Sequence, residues 1–420
     1  MSFSEWKKYS FSDFVEINPA IKLKSADEYS FVEMKDLNVA EKFVSSSVKR
    51  KLTGGSRFQN GDTLFARITP CLENGKICQV KNLENEVGFG STEFLVLRGK
   101  EKISSTEFVY YLSRWNEVRS FAVQNMIGTS GRQRVGKEAF QNLKLNFPDL
   151  KTQNHIASIL SSLDDAIELN QQINKTLEEM AKALFKEWFV DFNFPNAANK
   201  FQETEIGKIP AGWTVESFED VFDADRGLSY KGAGLAQSNA TPMHNLNSVL
   251  EGGGYKTIGI KYYNGDYKEK HIVNAGELII ANTEQGHKYM LIGYPAIIPQ
   301  FYGEQGIFSH HIYRLRPKKN CWLSPDFMYH LLLQPHIREQ IIGFANGTTV
   351  NMLKIEGLHK PKFAMPPKEL AEMFTAIAKA NRLQAEQNIE ENQSLSNLRD
   401  TLLPKLMKGE INLEPNLAKV

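Results

Sequence analysis

Asn60-Gly-Asp-Thr-Leu-Phe-Ala66 returns as Ala275-Gly-Glu-Leu-Ile-Ile-Ala281, and this return decides the fold. Each stretch is a turn running into a short apolar segment of strand type. The correspondence extends outward on both sides. Upstream, Trp6 and Ser10-Phe-Ser-Asp-Phe14 are matched by Trp213 and Ser217-Phe-Glu-Asp-Val221. Downstream, Ser105-Thr-Glu-Phe-Val-Tyr-Tyr-Leu112 is matched by Ser324-Pro-Asp-Phe-Met-Tyr-His-Leu331. The copies stand a little over 200 residues apart, and a long helical pattern closes each. A tandem duplication of this kind predicts an approximate internal two-fold axis, which suits a target made of two separated pieces.

The expected class is α+β: two mixed α/β domains in tandem, each followed by a long helix. Turns such as Gln59-Asn-Gly-Asp62 and Glu73-Asn-Gly-Lys76 punctuate short β-rich runs, among them Phe94–Arg98 and Leu143–Phe147. Four segments follow: a globular domain over 1–147, a helical region over 148–200, a second globular domain over 201–365 and a second helical region over 366–420. Asn193-Phe-Pro-Asn196 and Ile206-Gly-Lys-Ile-Pro-Ala-Gly-Trp213 mark an exposed connection, and Ala364-Met-Pro-Pro-Lys-Glu369 opens the second helix.

A length of 420 residues allows two to four domains, each able to bury its own core. Cys71, Cys78 and Cys321 have no metal-ligand spacing and suit a reducing compartment. The sequence opens without the apolar run of a signal peptide, and no stretch approaches the roughly 18 apolar residues of a membrane span. A cytoplasmic protein is expected. The net charge of +1 conceals an uneven distribution. Residues 1–147 hold 22 Lys+Arg against 17 Asp+Glu, or +5, and residues 148–200 hold 5 against 8, or −3. Residues 201–365 balance at 16 and 16, and 366–420 hold 7 against 8, or −1. In the basic first domain Lys49-Arg-Lys51, Arg57, Arg67 and Lys76 cluster with few acids between them. From charge alone such a cluster reads first as an ordinary solvated face, with a nucleic-acid partner as the alternative.

Ile156, Ile159, Leu163, Ala166, Asn170, Ile173, Leu177, Met180 and Leu184 follow the alternating three-four spacing of a coiled-coil seam. The second helix continues from Phe374 and Ile377 to Leu395, Leu398 and Leu402, with a polar middle at Asn381, Gln384, Asn388 and Glu391. The two helices are expected to pair as an antiparallel coiled coil with pseudo-two-fold symmetry. Aligning Ala183-Leu-Phe185 with Thr401-Leu-Leu403 gives an offset of 218 and places Asn170 on Asn388. The two asparagines are expected to meet at the crossing point, each setting register at some cost in stability.

Enzyme motifs are weak. Gly131-Arg-Gln-Arg-Val-Gly136-Lys137 begins like a phosphate-binding loop, but Glu138 stands where a magnesium-ligating hydroxyl belongs. Asn18-Pro19 continues as Ala-Ile, unlike a methyltransferase motif, and no Gly-rich dinucleotide fingerprint is present. His310-His311, read as strand residues, would point to opposite faces, one packed and one exposed. No catalytic residue and no metal site are expected.

The helix end Ala183-Leu-Phe-Lys-Glu-Trp-Phe-Val-Asp-Phe192, the connection Ile206–Trp213 and the second helix end Leu402-Leu-Pro-Lys-Leu-Met-Lys-Gly-Glu-Ile411 occur here in one order. In that combination the chain resembles the specificity subunit of a type I restriction-modification system over essentially its whole length. Ile68-Thr-Pro-Cys-Leu-Glu-Asn-Gly-Lys76 is similar to a segment of that family's target recognition domains. The resemblance implies a non-catalytic DNA reader with two target recognition domains. Each would read one half of a bipartite, asymmetric sequence, and the helices would set the gap. It also implies two DNA-methyltransferase subunits docked on the helices, and two restriction subunits that join in some assemblies. S-adenosylmethionine, ATP and magnesium would bind those partners, with no cofactor in this chain. About 35 helical residues at roughly 1.5 Å each span about 50 Å, or about 15 base pairs.

On this reading the loops are candidate DNA contacts. Met126-Ile-Gly-Thr-Ser-Gly-Arg-Gln-Arg134 combines glycines, the hydroxyls of Thr129 and Ser130, and the guanidiniums of Arg132 and Arg134, suited to phosphates and a guanine edge. Its counterpart Ala345-Asn-Gly-Thr-Thr-Val-Asn-Met352 keeps Thr348 and Thr349 without the charge. Lys22, Lys24, Arg67 and Lys76 in the first domain, and Arg226, Tyr230, Lys231, His287 and Lys288 in the second, lie on or beside turns. Unlike loops on a repeated frame predict unlike half-sites. The competing class is a protein-interaction scaffold that does not bind DNA and whose helical pair merely dimerises it.

Overall fold

A computed structural model describes residues 6–411 and Leu413, apart from Ala26, Ser47, Asn199, Gly286, His287, Thr348 and Thr349. The chain divides into two compact units: residues 1–170 with 391–420, and residues 171–390. The four segments read from the sequence are regrouped, because each unit takes part of both long helices.

In the first unit the turn at Asn60 feeds the centre of a five-stranded sheet. Its order is Val15–Ile17, Phe94–Gly99, Thr63–Ala66, Ile77–Val80, Phe43–Val44, antiparallel except for the last, parallel pair. Gly61 turns the chain at φ +88, a conformation L-residues resist, and Thr63–Ala66 is buried along its length. Period-two alternation then sorts the side chains. Phe65, Ile77, Leu95 and Leu97 join a core with Phe108, Val109, Leu112 and Val118, from the helices Thr106–Arg114 and Asn116–Gln124. Leu64, Cys78, Phe94 and Val96 face a separate core with Val32 and Phe58. These last two come from a four-stranded sheet ordered Lys49–Lys51, Glu28–Val32, Val87–Gly90, Ser56–Gln59.

The second unit repeats the plan. Phe222–Arg226, Ile312–Pro317, Leu278–Ala281 and Pro295–Ile297 form an antiparallel sheet in the order of the first four strands above. The helices Pro325–Leu332 and Pro335–Gly343 follow it. Leu278, Ile280 and Leu315 point into one core, Ile279, Ala281 and Ile312 into another. An arginine clamp recurs with the frame. Buried Asp62 receives Arg98 through both its oxygens, at 2.6 and 2.7 Å, and caps the turn through the Gln59 amide. Glu277 receives Arg316 at 3.1 Å and the Asn274 amide at 2.6 Å. The acid that ends each Gly-Asp or Gly-Glu turn thus both shapes the turn and neutralises an arginine on the adjacent strand.

The long helices span Leu150–Phe189 and Lys368–Met407, 40 residues each. No described helix is long and apolar enough to cross a membrane. The helices run antiparallel within each unit. In the first, Ile156, Ala157 and Leu160 share a core with Leu403, Leu406 and Met407. In the second, Phe185 and Phe189 pack edge-on against Phe327 and Phe374.

The seam read from the sequence needs correction. Ile173 is 37% exposed and Leu398 47%. Ile159, Leu163, Leu177, Leu184, Leu395 and Leu402 are half-buried, while Ile156, Leu160, Asp164 and Ile167 form the buried line. A helix that packs on a globular core as well as on a partner helix shifts its buried stripe toward the larger surface, so a two-helix heptad places it one position off.

The expected Asn170–Asn388 pairing is also replaced. Asn170 donates to Glu391 and Asn392, each at 3.0 Å, and Asn388 donates to Asn174 at 2.7 Å. The offset of 218 carries Asn170 to 388 and Asn174 to 392, so the two observed pairs are equivalents under the repeat. The equivalence was legible; the register differs by one helical turn. The polar middle of the second helix is used rather than merely tolerated. Asn381 donates to the Leu177 carbonyl at 3.1 Å, and Asn174 donates to that of Ala385 at 3.2 Å.

Candidate nucleic-acid interface

The segment Ile127–Arg134 is a narrow hairpin. Ile127 and Arg134 exchange backbone hydrogen bonds at 2.9 and 3.0 Å, and Arg132 N–H donates to the Thr129 carbonyl. Its base is stitched to the end of the central strand: Val135 N–H donates to Arg67 O, and Thr69 N–H to Gln133 O, both at 3.0 Å. Gly128 at φ +137 and Gly131 at φ +77 allow the tight return. Thr129, Ser130 and Arg132 are exposed at its tip. Arg132's guanidinium bonds no described residue.

Arg134 is different. Its Nε donates to both oxygens of Glu93 at 2.9 Å, Nη2 to Oε1 at 2.6 Å, and Nη1 to the Arg132 carbonyl at 3.1 Å. The fork braces the hairpin, so the arginine pair expected to act alike is divided into a free guanidinium and a strut. Glu93 lay outside the sequence reading, because its separation of 41 residues hides the contact. The phosphate-loop resemblance of Gly131–Lys137 also dissolves: the segment is the returning arm of a hairpin entering the short helix Lys137–Gln141.

The remaining cations of the first unit are unequal. Lys22, Lys24 and Arg57 are exposed near one another, with Arg57 Nη1 donating to the Ile21 carbonyl at 3.1 Å. Lys76 is half-buried and donates to the Met34 carbonyl at 2.8 Å, and Arg67 is half-buried. Lys49-Arg-Lys51 forms an exposed edge strand, but the fold brings acids to it. Lys49 meets Glu84 at 2.5 Å, and Arg50 meets Glu33 at 2.9 Å. Glu33's carboxyl is held below its ordinary range by Lys35 and by Arg50. The cluster that looked poor in acids is partly neutralised by neighbours distant in sequence.

In the second unit Ala345–Asn346 and Val350–Leu353 pair antiparallel, and the second of these strands also pairs with Thr283–Gln285. The counterpart of the cationic hairpin is therefore a hairpin too, without a charged residue between 345 and 353. Thr348, Thr349 and His287 lie outside the described residues. Lys288 is exposed on a turn whose backbone is gathered by Glu284, which accepts the amides of Met290, Leu291 and Ile292 at 2.9–3.0 Å.

Arg226 ends a strand opposite Tyr313 and is exposed, as is Lys231. Tyr230's hydroxyl accepts from Lys261 at 2.9 Å, a partner the sequence did not suggest. His310 and His311 do not point to opposite faces. They occupy the turn before Ile312–Pro317, where strand alternation does not apply, and their rings lie 3.9 Å apart. Burial, and then His310, lowers the pKa of His311, so His311 adds no fixed charge there at neutral pH. Arg226, Tyr230, Lys261 and the two histidines make a basic, aromatic surface of the kind that meets phosphates and bases. Among the described residues no group of three or more His, Cys, Asp or Glu is arranged to hold a metal ion.

The model of the type I restriction modification DNA specificity domain matches residues 3–179 and again residues 210–391. The chain belongs to that family. The type I restriction enzyme HindI specificity subunit of Haemophilus influenzae is 26% identical, over 97% of this chain and all of the relative. The MjaIX specificity subunit of Methanocaldococcus jannaschii is 24% identical, over 92% of this chain and 84% of the relative. Among solved structures, the type I restriction-modification S subunit from M. genitalium superposes with a TM-score of 0.57 at 15% identity, covering 96% of each chain. That likeness supports the tandem fold, and the doubled family match agrees with the two copies of the sheet and clamp.

Proposed function

We propose that this chain is the sequence-specific DNA-binding subunit of a type I restriction-modification complex. Each globular domain reads one half of a bipartite, asymmetric target, while the helices set the gap and dock two methyltransferase subunits. The observation that carries the reading is a repeated frame with unlike loops. Sheet order and the Arg–acid clamp recur, yet the first hairpin presents Arg132 and the second carries no charge between 345 and 353. Two different readers on one frame call for two different half-sites. Family membership leaves the scaffold reading without support.

The chain itself is non-catalytic in this proposal. Adenine methylation with S-adenosylmethionine falls to the methyltransferase subunits, and ATP- and magnesium-dependent work to two restriction subunits, in the cytoplasm of a prokaryotic cell. A near-neutral chain relies on its partners for phosphate contacts and binds DNA weakly alone.

Long-read mapping of adenine methylation, in cells expressing the neighbouring methyltransferase subunit with and without this chain, tests the proposal. A gapped bipartite motif present only with the chain is expected. No motif, with a competent methyltransferase present, overturns it.

A further inference from the structure

Ile127 stands at the mouth of the hairpin with 83% of its surface exposed. Isolated exposed aliphatic residues are ordinary, but this one sits on a braced element. Backbone bonds to Arg134 hold it on one side, the strand end at Arg67 and Thr69 holds the base, and Glu93 locks Arg134 through three contacts. A β-branched side chain in an extended segment adds little rotamer freedom of its own. The group is therefore presented rather than merely left over, and little ordering is needed before it can make contact.

The hairpin's dimensions favour one class of target. The major groove admits an element as broad as a two-stranded ribbon, room enough for this hairpin, which one backbone bridge between Ile127 and Arg134 closes. The one methyl on that groove's base edges is the thymine 5-methyl. Glycines keep this hairpin thin: a Cβ on Gly128 would lie 3.0 Å from the Arg132 carbonyl. Thr129, Ser130 and Arg132 on the same hairpin supply donors for phosphates and base acceptors. Ser130 and Arg132 carry no methyl for apolar contact, and Thr129 offers a single one beside its hydroxyl, whereas Ile127 is apolar throughout.

Resting on the DNA-reading function proposed above, we infer that Ile127 is a specificity-determining residue that packs on a thymine 5-methyl group in the half-site read by the first domain. It acts by van der Waals contact and by removing methyl and side chain together from water.

The test uses the full chain assembled with its methyltransferase subunits. Its DNA duplexes carry the mapped motif, with each thymine of both strands replaced in turn by deoxyuridine, which removes only the methyl. One exchange in the first half-site should weaken binding by the wild-type assembly about fourfold, the loss expected for one buried methyl. Ile127→Ala should weaken binding of the thymine duplex on the order of tenfold and make the same exchange silent. Binding of the second half-site should not respond.

A wild-type assembly for which every exchange is silent overturns the inference while leaving the DNA function intact, and so does an exchange equally costly in Ile127→Ala. A wild type that marks no gapped motif overturns both. Because Ile127 is exposed, unchanged thermal unfolding of the variant separates lost contact from lost fold.

Discussion

Asp164 and Arg399, 235 residues apart, form an ion pair at 2.6 Å with both side chains almost wholly removed from solvent. The other oxygen of Asp164 accepts the Tyr111 hydroxyl at 2.7 Å. One carboxylate thus joins the first long helix, the globular sheet's covering helix and the end of the second long helix. Removing Asp164 leaves the buried Arg399 guanidinium with only the exposed carboxylate of Asp400, at 2.8 Å, to offset its charge. Asp164→Ala should cost about 3–5 kcal/mol, whereas replacing Asp164 and Arg399 together with leucine should cost far less or nothing. Urea denaturation compares the two, and equal losses would contradict the account.

The asparagine pairs call for a different outcome. Asn388 is buried and bonded to Asn174 at 2.7 Å, so polar groups occupy a seam that leucine would fill. Joint replacement of Asn174 and Asn388 with leucine should raise stability by about 1 kcal/mol and loosen register, as expected for a polar seam position. Denaturation reads the first effect. Methylation mapping reads the second, as a wider range of tolerated gaps between unchanged half-sites. A lower stability, or an unchanged single gap, would mean that the asparagines do not set register.

Arg132 and Arg134 should separate in experiment. Arg132→Ala removes a free guanidinium and should weaken discrimination at one half-site by about 1–3 kcal/mol, with stability unchanged. Glu93→Gln never touches DNA in this account, yet it releases Arg134 and should impair the same half-site by loosening the hairpin. Competition binding with single-base variants distinguishes them: Arg132→Ala relaxes one position, Glu93→Gln several.

Acid should destabilise the second unit first. Burial pushes His244 down to about 3, and His330 likewise to about 3. The unfolded chain takes up these protons near the ordinary pKa of about 6.5, and the native state resists until about pH 3. Stability is fully present above about 6.5 and falls as the pH drops toward 3. Two protons correspond to a slope of about 2.7 kcal/mol per pH unit. Burial also lowers His271, His311 and His336, which adds to the slope with the same sign. His330→Phe should remove about one proton from the slope measured between pH 6 and 5. An unchanged slope would show that His330 is protonated in the native state.

Much of the fold is legible in the sequence alone, for reasons of local chemistry. The Gly-Asp and Gly-Glu turns, the alternating apolar strands and the helical periodicity depend on neighbours in the chain, and repetition made them visible twice. The duplication, the two long helices and the family resemblance all rest on such short-range patterns. The site was only half legible. Glycines, hydroxyls and arginines at 126–134 marked a loop suited to DNA, but the division of labour between Arg132 and Arg134 depends on Glu93, 41 residues away in sequence.

The amino-acid sequence by itself determined the repeated architecture and its elements, since turn residues and hydrophobic periods act within a few residues of one another, and it pointed to the class of partner only through the family resemblance. Only the tertiary structure decided which charges are spent on the protein itself, which stripe of each helix is buried and which asparagines meet. Those outcomes depend on surfaces and acids brought together from distant parts of the chain, and desolvation there outweighs what the local pattern prefers.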